Sequence, residues 1–207
     1  MSRPLTIAIP KGRVQKVLVE FFARAGLPMP SLEVDDRRLI RESPDGRIRF
    51  LLLKPDDVPT YVEFGAADLG VSGRDILNER SYDLYQPLDL GIGRCRMVVA
   101  APIDSGPAPD VPRVATKYPR MAAQFFAARG VQAEIIFVQG SVELAPLVGL
   151  ADLIFDLVET GSTLKENHLE VIDDVMPITS VVIANRAAYK LRAAEIGPLL
   201  DALGRAV

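Results

Sequence analysis

Short apolar runs rich in β-branched residues alternate along this chain with longer stretches of three-to-four-residue periodicity. That alternation predicts an α/β fold. Leu5 to Ile9 reads as a strand, and Val14, Val17, Leu18, Phe21, Phe22 and Ala25 mark one face of a helix that Gly26 would stop. Ile48 to Leu53 is a near-continuous apolar run, hence a buried strand. Asp57-Val58-Pro59 then opens a helix with proline in its first turn. Asp68 to Val71 and Arg96 to Ala101 are further strands, and the proline-rich stretch Pro102 to Pro112 is a loop. A second series follows: strand Val114–Thr116, a helix from Pro119 closed by Gly130, and strand Glu134–Val138. Next come a helix capped by Ser141 and running through Val148, and strand Leu153–Leu157. Val171–Met176 and Val181–Ala184 read as two strands, and Arg186–Gly204 as a final helix that Pro198 should kink or split.

The two series echo one another. Phe21-Phe22-Ala23-Arg24-Ala25-Gly26-Leu27 reappears as Phe125-Phe126-Ala127-Ala128-Arg129-Gly130-Val131, each after a strand and a lysine-containing turn. Gly65-Ala66-Ala67-Asp68-Leu69-Gly70 is matched by Gly149-Leu150-Ala151-Asp152-Leu153-Ile154. Any two helix–glycine–strand units share such features. Equally, the echo fits two similarly built α/β lobes facing a cleft, where small ligands are commonly held.

Composition narrows the classes. Of 207 residues, 49% are apolar and 25% charged, the profile of an ordinary globular protein that can bury a sizeable core. The formal net charge of −3 supplies no overall field for nucleic acid or an anionic membrane, so an anionic ligand must be captured by local groups. One cysteine, Cys95, permits no internal disulfide and fits a reducing compartment. The N-terminal apolar run is too short for a signal peptide, and no stretch approaches the roughly 18 apolar residues of a membrane span. A cytoplasmic protein is expected.

The richest chemistry lies in Asp156-Leu157-Val158-Glu159-Thr160-Gly161-Ser162-Thr163-Leu164. The apolar strand before it delivers Asp156 to a strand C-terminus, where ligands sit in open α/β sheets. Gly161 allows a tight turn and close approach of the backbone. Hydroxyls, backbone N–H groups and a helix N-terminus can then converge on one anion, and phosphate is the natural occupant. Carboxylates accept hydrogen bonds only, which suits the two donors of a ribose diol. The alternative is a threonine-rich helix cap with no ligand. The strand–acidic–Thr-Gly-x-Thr order resembles the phosphoribosyl-diphosphate loop of phosphoribosyltransferases.

Lys11-Gly12-Arg13, after the first strand, places two cations around a glycine, fit for a phosphate or purine or simply solvated. Lys54 is a third cation at a strand end. Asp68 to Gly73 ends another strand in a small-residue turn that could border a ligand. There is no Gly-x-x-x-x-Gly-Lys-Ser/Thr or Gly-x-Gly-x-x-Gly motif, and no Cys/His set for zinc. The single histidine, His168, is expected at the surface near a helix end, which leaves no base for a serine hydrolase. Cys95 stands between Arg94 and Arg96, which could lower its pKa; a structural thiol at a strand edge is the plainer reading.

Taken in order, these residues closely resemble the ATP phosphoribosyltransferase family. The marks are Ile9-Pro10-Lys11-Gly12-Arg13, Asp57-Val58-Pro59, Gly65 to Gly70, Ala115-Thr116-Lys117-Tyr118-Pro119, Gly140-Ser141-Val142-Glu143-Leu144-Ala145-Pro146, Gly149 to Asp152 and Asp156 to Leu164. The resemblance implies a two-lobed fold of the type-II periplasmic-binding-protein kind with the active site in the inter-lobe cleft. Lobe I would be residues 1–93 plus 178–207, on the ATP side. Lobe II would be residues 94–177 and bind phosphoribosyl diphosphate. It further implies transfer of phosphoribose to N1 of ATP with Mg²⁺, the first step of histidine biosynthesis. Catalysis would fall to Asp156, Thr163 and Arg13. Glu143, Asp156, Val158, Glu159, Thr160, Gly161, Ser162, Thr163 and Leu164 would hold phosphoribosyl diphosphate. Lys11, Gly12, Arg13, Lys54, Ser72 and Gly73 would line the ATP side, and Mg²⁺ would be held mainly by the substrate diphosphate. Members often carry arginine where Lys54 stands, which alters a bidentate contact. The chain ends about twenty residues past Asn185, which resembles the short form of the family. That form works with a histidyl-tRNA-synthetase-like regulatory subunit, as a homodimer within a hetero-oligomer.

Overall fold

A computed structural model describes residues 3–27, 38–103, 105–106 and 108–207. The chain forms two compact units. One comprises Met1–Leu77, Ser81–Gly93 and Thr179–Val207; the other comprises Asn78–Arg80 and Arg94–Ile178.

In the first unit, β1 (Leu5–Pro10) is buried at all six positions, as a strand covered on both faces must be. It pairs in parallel with β3 (Ile48–Leu53) and β4 (Leu69–Gly73). The short β2 (Ile40–Glu42) runs antiparallel on the outer edge of β3. Helix α1 (Arg13–Arg24) buries Leu18, Phe21 and Phe22 against Leu5, Ile7, Ile9 and Phe50. Gly26 ends it at φ +70°, with Leu27 N–H donating to the Phe22 carbonyl at 3.0 Å. A 3₁₀ turn (Pro55–Asp57) leads into α2 (Val58–Glu63), whose Pro59 sits in the first turn as predicted, and α3 (Arg74–Glu79) follows β4.

In the second unit, β6 (Arg113–Thr116) pairs in parallel with β7 (Glu134–Phe137) and β8 (Leu153–Val158). Helix α4 (Pro119–Ala128) packs Phe126 with Phe155, Tyr118 and Met97 on one face of the sheet. Ala115, Ile154, Val158 and Val98 face the other way, with Val142 and Leu164. The period of two thus sends Leu153 and Phe155 to one layer, and Ile154 and Val158 to the opposite one. Gly130, at φ +71°, ends α4 with Val131 N–H donating to the Phe126 carbonyl at 3.0 Å. The echo seen in the sequence is therefore one helix-stop geometry built twice.

Two long strands carry the chain between the units. β5 (Leu84–Pro102) contains the expected strand Arg96–Ala101 but begins twelve residues earlier, passing through Gly91 and Gly93 at φ of about +62°. β9 (Leu169–Asn185) merges the two strands expected at 171–176 and 181–184, with exposed Pro177 inside it. In the first unit β9 lies antiparallel to β4, and in the second β5 lies antiparallel to β8.

Two local predictions are corrected. The C-terminal helix is indeed split, into α7 (Arg186–Leu191) and α8 (Ala193–Gly204), but at Arg192 and not at Pro198, which lies inside α8. Arg192 is held there by the Asp68 carboxylate at 2.8 Å and by Glu195 at 2.6 Å. Ser141 caps no helix. It sits at φ +48°, and α5 (Leu144–Leu147) begins after Glu143. The carbonyls of Ser141 and Val142 accept the Leu144 and Ala145 N–H groups directly, so no side-chain cap is needed. The stretch from Pro102 to Pro112 connects β5 to β6 as a loop; Asp104 and Pro107 within it lie outside the described residues.

Candidate functional site

The chemistry concentrates at strand C-termini in each unit. In the second unit, β8 carries Asp156 on the same face as Ile154 and Val158, and the chain then turns through Glu159 and Thr160. Gly161 makes the turn at φ +79°, ψ 5°, the left-handed region in which a side chain would be strained. Helix α6 (Ser162–Glu166) follows at once, anchored by Leu164, which is buried. Thr160 Oγ1 lies 3.1 Å from Ser162 Oγ, so the two hydroxyls face the same space. The Asp156 carboxylate is tied to its own backbone by the Leu157 N–H at 2.8 Å.

Glu143 and Asp156 to Leu164 line a single open concavity of about 310 Å³. Thus Glu143, thirteen residues before Asp156, is brought to the same space as the loop. Ile154 also lines it, although the sequence marked it only as strand core. Its signal was parity, since Ile154 shares the strand face of Asp156. A hydroxyl-rich turn flanked by carboxylates and an apolar wall can grip a phosphate while accepting hydrogen bonds from a diol.

A larger concavity of about 660 Å³ opens at the N-terminal ends of β6 and β8. Its main charged groups, Arg113 and Asp152, already bind each other at 2.8 Å. It therefore offers less unspent chemistry than the smaller one.

In the first unit, the parallel register of β1 and β3 sets Pro10 against Leu53, and Lys11 N–H donates to the Leu53 carbonyl at 2.7 Å. Lys11-Gly12-Arg13 and Lys54 thus leave adjacent strand ends, all exposed. Gly12, at φ +96° and ψ −143°, lies where essentially only glycine goes, and it opens α1. Ser72 and Gly73 end β4, the other parallel neighbour of β1. At Gly73 a Cβ would fall 2.1 Å from Asp75 Oδ1, so a side chain there requires the Asp75 carboxylate to move.

His168 is exposed just past α6, at φ +54°, away from the lining of the concavity. Cys95 lies half-buried on β5, against the cluster that holds Met97 and Phe155.

The family model described as ATP phosphoribosyltransferase matches residues 54–205. An ATP phosphoribosyltransferase of Sorangium cellulosum is 64% identical over 203 residues, covering 98% of this chain and 96% of that protein. The structure titled ATP phosphoribosyl transferase (HisG:HisZ) complex from Thermotoga maritima superposes with a TM-score of 0.83 at 36% identity, over 98% of both chains. The periplasmic aliphatic sulphonate binding protein SsuA from Escherichia coli shares the fold, with a TM-score of 0.63 at 14% identity over 100% of this chain and 73% of that one. The architecture is that of the two-lobed type-II periplasmic binding proteins, and on sequence and structure together the chain belongs to the ATP phosphoribosyltransferase family.

Proposed function

We propose that this protein transfers the 5-phosphoribosyl group from phosphoribosyl diphosphate to N1 of ATP, releasing diphosphate, as the first step of histidine biosynthesis. The observation that carries the reading is the concavity at the end of β8, where Glu143, two further carboxylates and the Thr160–Thr163 turn share one lining. Its chemistry matches a phosphorylated ribose, and the chain's family acts on that donor.

The Asp156–Leu164 turn takes the donor. Backbone N–H groups from Gly161 onward and the Thr160, Ser162 and Thr163 hydroxyls hold phosphate, and Asp156 or Glu159 accepts from the ribose hydroxyls. The acceptor side falls to Lys11, Gly12, Arg13, Lys54, Ser72 and Gly73, whose cations suit a nucleotide triphosphate. The adenine N1 lone pair forms the new bond to C1 while the C1–O bond to diphosphate breaks, its electron pair leaving on the diphosphate oxygen. A neutral ring nitrogen needs no strong base. The protein supplies orientation and stabilises the oxocarbenium-like sugar through Asp156, with Thr163 and Arg13 positioned on developing phosphate charge.

Mg²⁺ suits this donor set, because it takes one or two carboxylates and fills its shell with phosphate oxygens and water. Asp156 or Glu159 would contribute, and the substrate diphosphate would hold most of the shell. Bound there, the ion would offset charge on the departing diphosphate. The near-complete overlap with the Thermotoga maritima chain supports a partner subunit such as the HisZ named in that complex; the family resemblance makes that partner a regulatory protein similar to histidyl-tRNA synthetase.

The test is direct. Purified chain, with and without such a subunit, is mixed with ATP, phosphoribosyl diphosphate and Mg²⁺, and diphosphate release is followed. Release dependent on both substrates is expected. Ligand binding without release under either condition would replace the enzyme with a non-catalytic two-lobed binder. Release with another nucleobase but not ATP would reassign the acceptor.

A further inference from the structure

Thr116 is the last residue of β6, and it is completely buried. A buried hydroxyl is costly unless its hydrogen bonds are made. Here both are: Oγ1 donates to the Phe155 carbonyl at 2.6 Å and accepts from the Tyr118 N–H at 2.8 Å. Phe155 is its partner in the β6–β8 register and immediately precedes Asp156. Tyr118 is the residue from which α4 starts. One hydroxyl therefore joins the turn Thr116-Lys117-Tyr118 to β8 at the peptide unit where the loop begins.

That peptide unit is rigid. Its carbonyl oxygen and the nitrogen of Asp156 lie in one plane, so holding the Phe155 oxygen constrains the orientation of the β8 backbone at Asp156. The Asp156 carboxylate is bonded to the next N–H, so it follows the backbone. Thr116 itself does not line the concavity.

We propose that Thr116 is a positioning residue for the phosphoribosyl-diphosphate loop, acting through the Phe155 carbonyl on the direction of Asp156. This rests on the function proposed above. It assigns work to the Ala115–Pro119 motif, which that function leaves without any.

The experiment compares steady-state kinetics of full-length Thr116→Val and Thr116→Ser with the unsubstituted chain. Valine keeps the shape and removes the hydroxyl; serine keeps the hydroxyl. Activity of the unsubstituted chain tests the function itself, so that failure is separate from failure of the positioning role. For Thr116→Val, KM for phosphoribosyl diphosphate should rise about tenfold or more while KM for ATP stays within about twofold. Thr116→Ser should restore the donor KM to near its original value. Unchanged donor KM in a folded Thr116→Val protein would overturn the proposal. So would equal rises for both substrates, or equal damage from valine and serine. Should the valine variant fail to fold, Thr116→Ala takes its place. It also removes the hydroxyl and its two hydrogen bonds, and a donor KM equal to that of the unsubstituted chain would likewise overturn the proposal.

Discussion

Asp68 and Thr6 hold each other twice: Thr6 N–H donates to Asp68 Oδ2 at 2.8 Å, and Asp68 N–H donates to the Thr6 carbonyl at 2.8 Å. The second unit repeats the latch. Arg113 N–H donates to Asp152 Oδ2 at 2.9 Å, and Asp152 N–H donates to the Arg113 carbonyl at 2.8 Å. Each aspartate follows a left-handed glycine, Gly65 or Gly149, and fastens a helix-to-strand turn to a neighbouring strand. The matched sequences around the two aspartates thus encode one device used twice.

The two latches differ in depth, and so should their stabilities. The Asp68 side chain is fully buried and also takes Arg192 at 2.8 Å and Arg3 at 2.6 Å. Asp68→Ala would leave the nearly enclosed Arg192 guanidinium with Glu195 as its remaining carboxylate and the buried Thr6 N–H without its acceptor, and should cost about 3 kcal/mol, because breaking one arm of a buried ionic network is strongly destabilising. Asp152 is partly exposed, so Asp152→Ala should cost distinctly less. Urea midpoints of the two variants measure the ranking; equal losses would show that burial does not govern the latch.

Asn185 offers a sharper stability test. Its Oδ1 accepts the Ala187 and Ala188 N–H groups at 3.0 Å, capping α7, while Nδ2 donates to the Val62 and Glu63 carbonyls at 3.0 and 3.1 Å. Asn185→Ala should cost about 1–2 kcal/mol through loss of the cap. Aspartate caps helices as well as asparagine does, yet Asn185→Asp should also destabilise, because a carboxylate would face two carbonyl oxygens. A neutral Asn185→Asp in denaturant titration would mean that the two donated bonds contribute nothing.

Residues whose role is local were legible in the sequence, and residues held by distant partners were not. The stops at Gly26 and Gly130 follow from their own helices and neighbours. The Asp156–Leu164 turn is contiguous, so its hydroxyls, glycine and carboxylates could be read together. The break at Arg192 depends on Asp68, 124 positions away, whereas Pro198 is a local breaker signal that α8 accommodates. The length of β5 and β9 was hidden because Gly91, Gly93 and Pro177 look like breakers; Gly91 and Gly93 do leave the extended region, and only pairing with neighbouring strands continues the element past them. Thr116 could be seen as a mark of the family, but its task depends on a carbonyl 39 residues on.

Acid should unfold the protein partly through its paired carboxylates. Burial would raise the Asp89 pKa, but the Gly91 N–H, the Thr179 hydroxyl and the Arg74 guanidinium outweigh that and hold it below the usual value. Bonding to Arg113 lowers Asp152, and bonding to Arg192 lowers Glu195. A folded-state pKa below the unfolded one gives stability that is full above the unfolded pKa and lost as pH falls through the folded pKa. The loss should therefore begin near the ordinary values, 3.8 for aspartate and 4.5 for glutamate, and deepen below them. Thermal midpoints from about pH 6 to pH 3 should fall, and less steeply in Asp89→Asn, which has no charge to lose. An identical slope in that variant would remove Asp89 from the explanation.

The last prediction concerns the loop itself. Thr163 is exposed at the start of α6 and Asp156 lines the concavity, so neither substitution to alanine removes core packing. Each should leave the thermal midpoint near that of the unsubstituted chain. If each group meets charge that develops only as the C1–O bond breaks, its loss raises the barrier by about 3 kcal/mol, about a hundredfold in turnover. Thr163→Ser keeps the hydroxyl and should recover most of the rate. His168→Ala removes an exposed imidazole outside the lining and should leave turnover unchanged. Equal turnover in Asp156→Ala, Thr163→Ala and His168→Ala would detach the loop from the chemistry. A loss in the first two that appears only in KM would instead make the loop a ground-state binding element, with transition-state stabilisation to be sought among Lys11, Arg13 and Lys54.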